Sequence, residues 1–153
     1  MAMELIKQHF PNLGQDCKIT SPETSSYNCI AWAAGVSDKF WWPDSEYIAF
    51  WPQQIQRRVT LESFIAAFET LRYARCESEE YEDGFEKIAI LVDPFTIKPT
   101  HAARQLTTGR WTSKLGQSFD IEHDLREVCG QIYGTVGAVM KRTFAHKSTL
   151  KEC

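Results

Sequence analysis

A cysteine stands where a polar stretch gives way to small helix formers, and it is the residue with the clearest chemical potential. In SSYNCIAWAAG, residues 25–35, Ser25, Ser26 and Asn28 precede Cys29, and Ile30, Ala31, Trp32, Ala33 and Ala34 follow. A thiol in the first turn of a helix feels the positive end of the helix dipole, which favours the thiolate. Free N–H groups there can face a developing oxyanion. The plainer alternative is a small buried hydrophobe, the usual role of free Cys.

A nucleophilic thiol also needs a base. His9 and His146 lie near the chain ends, and His123 falls in the acidic stretch DIEHD, which can simply start a helix. His101 opens HAARQL behind a connection bounded by Pro94 and Pro99. A strand end holds an imidazole rigidly, so His101 is the candidate base, with a polar strand-end residue as the alternative.

These residues need a scaffold. Residues 28–34 read as a short helix stopped by Gly35. In VTLESFIAAFETLRYA, Leu61, Phe64, Ile65, Phe68 and Leu71 form one apolar stripe behind a Thr60 cap. KIAILVD, residues 87–93, reads as a buried strand, and HAARQL and RWTSKLG flank TTG as a hairpin with Gly109 at positive φ. DLREVCG suggests a short helix and IYGTVGAVMKRTF a last strand. Residues 1–24 show no regular element, ESEEYED (77–83) reads as a solvated loop, and AHKSTLKEC as a frayed tail. Helices first, then three or four antiparallel strands, is an α+β pattern in a single domain over residues 1–153.

YNCIAWA followed by a strand-forming HAARQLTTGRW resembles the papain-like cysteine hydrolase superfamily, closest to its compact NlpC-type and CHAP-type bacterial branches. The resemblance spans residues 25–35 and 87–123. It implies N-terminal helices packed on a small antiparallel sheet, with Cys29 as nucleophile and His101 as general base and acid. It also implies a third polar residue, and here the sequence departs from the pattern. If 107–109 is the loop, residue 106 pairs with 110 and 103 with 113, so Ser113 shares the face of His101 where the NlpC-type pattern has a His. A hydroxyl orients an imidazole weakly, so Asp120 ranks first as orienting residue, Glu122 second and Ser113 third; a bare dyad stays open. For the oxyanion, the Cys29 N–H is joined by Tyr27 or Asn28, the latter equally readable as a helix cap.

FWWPDSEYIAFWP carries Phe40, Trp41, Trp42, Tyr47, Phe50 and Trp51. It reads either as core or as rings such as Trp41 and Trp42 lining a cleft. Arg104, Arg110 and Lys114 read as surface charges on the hairpin, one of which could meet a substrate carboxylate.

Bulk composition narrows the classes. The chain has 153 residues, 43% of them apolar, and a net charge of −3, enough for a core and weakly against nucleic-acid or anionic-membrane binding. The start, MAMELIKQHFPN, has no signal-peptide pattern, and no apolar run reaches a membrane span. Five scattered cysteines without C-x-x-C argue against a disulfide scaffold or zinc site, so no cofactor or metal is expected and a cytoplasmic compartment is, with export by a dedicated machine as the exception. The expected activity is cleavage of an amide in a peptide or protein, cell-wall peptide included, through a thioester. The alternatives are a catalytically silent binding module on the same fold and a thiol acyltransferase.

Overall fold

The computed structural model describes residues 2–116 and 118–144; His146 and Cys153, with the predicted frayed tail, lie outside them. In chain order the elements are α1 (Ala2–His9), β1 (Lys18–Ser21), α2 (Cys29–Ala33), α3 (Leu61–Glu69), β2 (Ala74–Cys76), β3 (Phe85–Val92), β4 (Pro99–Gln105), β5 (Trp111–Lys114), β6 (Asp120–His123), a 3-10 turn at Leu125–Val128, and β7 (Thr135–Thr143). The fold is α+β, as its sequence pattern predicts.

The sheet is larger than three or four strands. Among the described residues seven strands, every neighbouring pair antiparallel, run in the order β1-β6-β5-β4-β3-β7-β2. The short edge strands β1 and β2, and α1 at the start, are the elements that the sequence pattern does not announce. β1 and β2 each present mostly exposed residues, so neither carries an apolar rhythm. In α1 only Ile6 is buried, too thin a stripe to stand out.

β3 lies inside the sheet and is buried on both faces, which explains its unbroken apolar run. Ile88 and Ile90 face α2 and α3 and pack with Ile30, Phe64, Phe68, Ala102 and Met140. Ala89 and Leu91 face the other way, toward Ile6 and Phe10, with Ala103, Trp111, Ile121 and Val128. The sheet thus separates two cores, and the parity of a residue in β4, β5 or β6 decides which core it enters.

Local chemistry fixes the helices. Asn28 caps α2 by accepting Ala31 N–H at 3.2 Å, and Gly35, at φ 86°, ends the segment in a conformation costly for other residues. Thr60 caps α3 by accepting Ser63 N–H at 3.2 Å. The aromatic segment divides: Trp41 and Trp51 are buried, the Trp51 ring tilting against Phe64, while Tyr47 and Phe50 are exposed and Phe40 and Trp42 are partly buried. The loop 77–83 is a loop, and it is anchored. The fully buried Lys87 ammonium donates to the carbonyls of Ser78 and Glu80 and pairs with Glu82 at 2.7 Å.

Candidate functional site

The hairpin that carries the site folds in the predicted register. Leu106 N–H reaches Arg110 O at 2.7 Å, Arg104 sits opposite Thr112, Gln105 opposite Trp111, and Gly109 takes φ 91°. Strand pairing between β4 and β5 ends at Arg104 and Thr112. Beyond that point α2 brings Cys29 to β4 from one side. The N–H groups of Ala102, Ile30 and Cys29 itself lie close enough to favour the thiolate. Burial outweighs them and pushes the thiol up to about 11. The residue is 9% exposed and its sulfur is free of any disulfide.

His101 is the residue before Ala102, and its side chain is fully buried. It pairs across the sheet with Leu91, so it enters the α1-side core, whereas Cys29 packs in the α2-side core; the expected contact between thiol and imidazole is not among the hydrogen bonds of the described residues. Its ring stacks on Tyr133, centroids 3.9 Å apart at 10°. Its Nε2 meets Ser113 Oγ at 2.9 Å. The same hydroxyl meets His123 Nε2 at 2.7 Å, and His123 Nδ1 meets the carbonyl of Asp124 at 2.7 Å. His101 Nδ1 has no hydrogen-bond partner among the described residues. Burial holds His101 well below the ordinary imidazole range, and the neighbouring His123 adds to this. Burial also lowers His123, so both rings are neutral at pH 7.

Asp120, ranked first to orient the imidazole, lies on the other face. Its Oδ2 accepts the Tyr27 hydroxyl at 2.6 Å, and its Oδ1 is buried without a partner. Glu122 pairs with Arg110 at 2.9 Å. Ser113, ranked third, is the residue that meets His101, while His123 behind it carries a role the acidic context of DIEHD did not suggest. The supporting residues are committed as well. Tyr27 spends its hydroxyl on Asp120, and Asn28, besides capping α2, accepts Trp41 N–H at 3.0 Å and donates to Trp41 O at 2.8 Å.

Lys114 is not a surface charge. It is fully buried, donates to the carbonyls of Thr24 and Ser118, and lies 5.3 Å from the Tyr27 ring centroid. Desolvation lowers its pKa, against the opposing fields of Asp120, Glu23 and Cys29, and its own charge favours the Cys29 thiolate. Arg104 lies over the Trp32 ring, and Arg110 bridges Glu122 and Asp124.

Two apolar hollows lie one beside each of Cys29 and His101. One, of about 400 Å³, is lined by Asn28, Phe40, Trp42 and Ile48, beside the start of α2. The other, of about 330 Å³, is lined by Leu5, Phe10, Leu115 and Tyr133, the ring on which His101 stacks.

Among the described residues, no helix is long and apolar enough to cross a membrane. No curated protein and no solved structure matches the chain. A family model described as Domain of unknown function (DUF7689) matches residues 18–141, a span that takes in Cys29, His101, Ser113 and His123. With most of its length inside that match, the chain belongs to the DUF7689 family.

Proposed function

We propose that this protein is a papain-like thiol hydrolase that cleaves an amide in a peptide or protein, with Cys29 as nucleophile and His101 as base and acid. The observation that carries the reading is the Cys29 thiol in the first turn of α2, against the amide of Ala102, the residue after His101; the His101 ring enters the opposite core, so the reading requires Nδ1 to turn to the sulfur when substrate binds. His101 Nδ1 is buried without a hydrogen-bond partner among the described residues, at a cost of about 1–3 kcal/mol, which leaves it free to take a proton. In the resting state both groups are neutral, because burial raises the thiol and lowers the imidazole.

When substrate arrives, the Cys29 proton passes to His101 Nδ1 and the sulfur bonds to the amide carbon. The leaving amine takes that proton as the C–N bond breaks, leaving a thioester. Water then gives a proton to Nδ1 and its oxygen to the carbonyl, and the C–S bond breaks with the proton returning to sulfur. The oxyanion donors are backbone groups at the start of α2, since Tyr27 and Asn28 are engaged elsewhere. No cofactor is needed, and free thiols suit a cytoplasmic setting. An amine acceptor in place of water turns the same thioester into acyl transfer.

The depth of the sulfur favours a second reading, a catalytically silent binding module. One experiment separates the two: alkylation of Cys29 by iodoacetamide, mapped by mass spectrometry against pH, in the wild type and His101→Ala. A hydrolase labels at neutral pH, below the free-thiol pKa of about 8.5, and loses at least about tenfold in rate without His101. A silent module labels Cys29 only on unfolding, with no His101 dependence, and that result ends the hydrolase reading. Cys29→Ala serves as the background for Cys17, Cys76, Cys129 and Cys153.

A further inference from the structure

We infer that His123, acting through Ser113, is a positioning residue that fixes the proton of His101 on Nε2 and leaves Nδ1 bare. The consequence for catalysis rests on the hydrolase reading; the hydrogen-bond chain itself does not. The chain has one fixed end. A carbonyl only accepts, so His123 Nδ1, 2.7 Å from Asp124 O, must carry a proton. A neutral His123 then offers a lone pair at Nε2, and Ser113 Oγ, 2.7 Å away, donates its only proton there. Ser113 is left as an acceptor toward His101, so the contact at 2.9 Å is Nε2–H donating to Oγ. Two neutral histidines therefore hold opposite tautomers on either side of one hydroxyl.

The arrangement makes the base conditional on His123. Protonated at both nitrogens, His123 would donate to Ser113, turn the hydroxyl toward His101 Nε2, and place the His101 proton on Nδ1, where it blocks proton transfer from a thiol. The groups facing His123 are Glu127 and Asp124, whose charges favour its protonation, and Arg110, whose charge opposes it. Toward His101 stand the Tyr133 ring, Ser113 and His123.

NMR of isotope-labelled histidine nitrogens in the wild-type protein tests this without any variant. At neutral pH, His123 is expected as the Nδ1–H tautomer and His101 as Nε2–H. His123 as Nε2–H, or His101 as Nδ1–H, overturns the inference. A second arm uses His123→Leu, which frees the Ser113 hydroxyl to donate to His101. The expected result is a shift of His101 toward Nδ1–H and Cys29 alkylation slower by about tenfold or more, since a wrong imidazole tautomer costs hydrolytic triads up to about 10⁴-fold. His123→Gln, whose amide oxygen can accept from Ser113, is expected to restore the His101 tautomer and most of the rate. Expected tautomers with an inert Cys29 leave the hydrogen-bond chain standing and remove the hydrolase reading. A His101-dependent Cys29 with the opposite tautomers does the reverse.

Discussion

Two polar networks draw on the same two strands, β5 and β6, and share no side chain. On the α2 side, Tyr27, Asp120 and Lys114 gather beneath the helix start, and Lys114 ties down the carbonyls of Thr24 and Ser118. On the α1 side, His101, Ser113 and His123 form a chain that ends on the Asp124 carbonyl. Ser113 and Lys114 are sequence neighbours, and the pleat sends one into each network. The α2-side network combines a carboxylate with an ammonium and ends in structural carbonyls, as a fastening does. The α1-side network carries no carboxylate or ammonium, burial lowers both of its imidazoles, and it ends at a His101 Nδ1 that has no hydrogen-bond partner among the described residues.

Substitutions at the two neighbours give the sharpest contrast. Lys114→Met removes a fully buried cation and leaves two carbonyls and the Asp120 charge uncompensated. It is expected to lower stability by about 3 kcal/mol in urea unfolding. Its effect on Cys29 alkylation should be the smaller of the pair. Ser113→Ala leaves His101 Nε2–H without an acceptor and costs about 1–2 kcal/mol, while His101-dependent alkylation falls by about tenfold. Equal losses of alkylation in both variants would merge the two networks into one.

Acid separates them in a second way. His101 and His123 are buried with pKa values lowered by desolvation, so the native state binds fewer protons than the unfolded chain below the ordinary imidazole value. Their contribution to stability is complete above about pH 6.5 and is lost as the pH falls. The expected slope is up to about 1.4 kcal/mol per pH unit for each ring. Urea midpoints across this range should decline in the wild type and decline less steeply in His123→Leu. A flat wild-type profile would mean that neither ring is held neutral by the fold.

Parity explains how much of this was legible beforehand. The TTG hairpin fixes its own register, so Ser113 could be placed on the His101 face from sequence, and the structure agrees. Odd-numbered residues of β4 and β5 then share one core. β6 continues the rule, with Ser113 opposite Ile121 and Trp111 opposite His123, which puts Asp120 and Glu122 on the wrong face and His123 on the right one. The missing information was the register between β5 and β6. The connection LGQSF has no two- or three-residue turn signature, and chemical strength alone then favoured a carboxylate over an imidazole. Lys114 was misread for a related reason: a lysine in a four-residue strand looks exposed unless carbonyls from Thr24 and Ser118, distant or irregular in sequence, are known to surround it. Helices α2 and α3 were legible because their caps and stripes are local, whereas β1 and β2 exist only through partners far along the chain.

The smallest expected effect is the most discriminating. In Asp120→Asn the amide oxygen can still accept the Tyr27 hydroxyl, and the NH₂ can be turned toward the side where Oδ1 now has no partner. The lost charge weakens the field at Lys114, whose ammonium keeps its two carbonyls. Stability should therefore change by no more than about 1 kcal/mol. The rate and pH profile of Cys29 alkylation should match the wild type, because no hydrogen bond joins Asp120 to His101 and the imidazole is oriented from the opposite face. A carboxylate that orients a catalytic imidazole behaves differently: its amide variant keeps the shape and loses the reactivity. A large drop in alkylation with stability intact would thus return Asp120 to the catalytic set and reduce the His101–Ser113–His123 chain to packing.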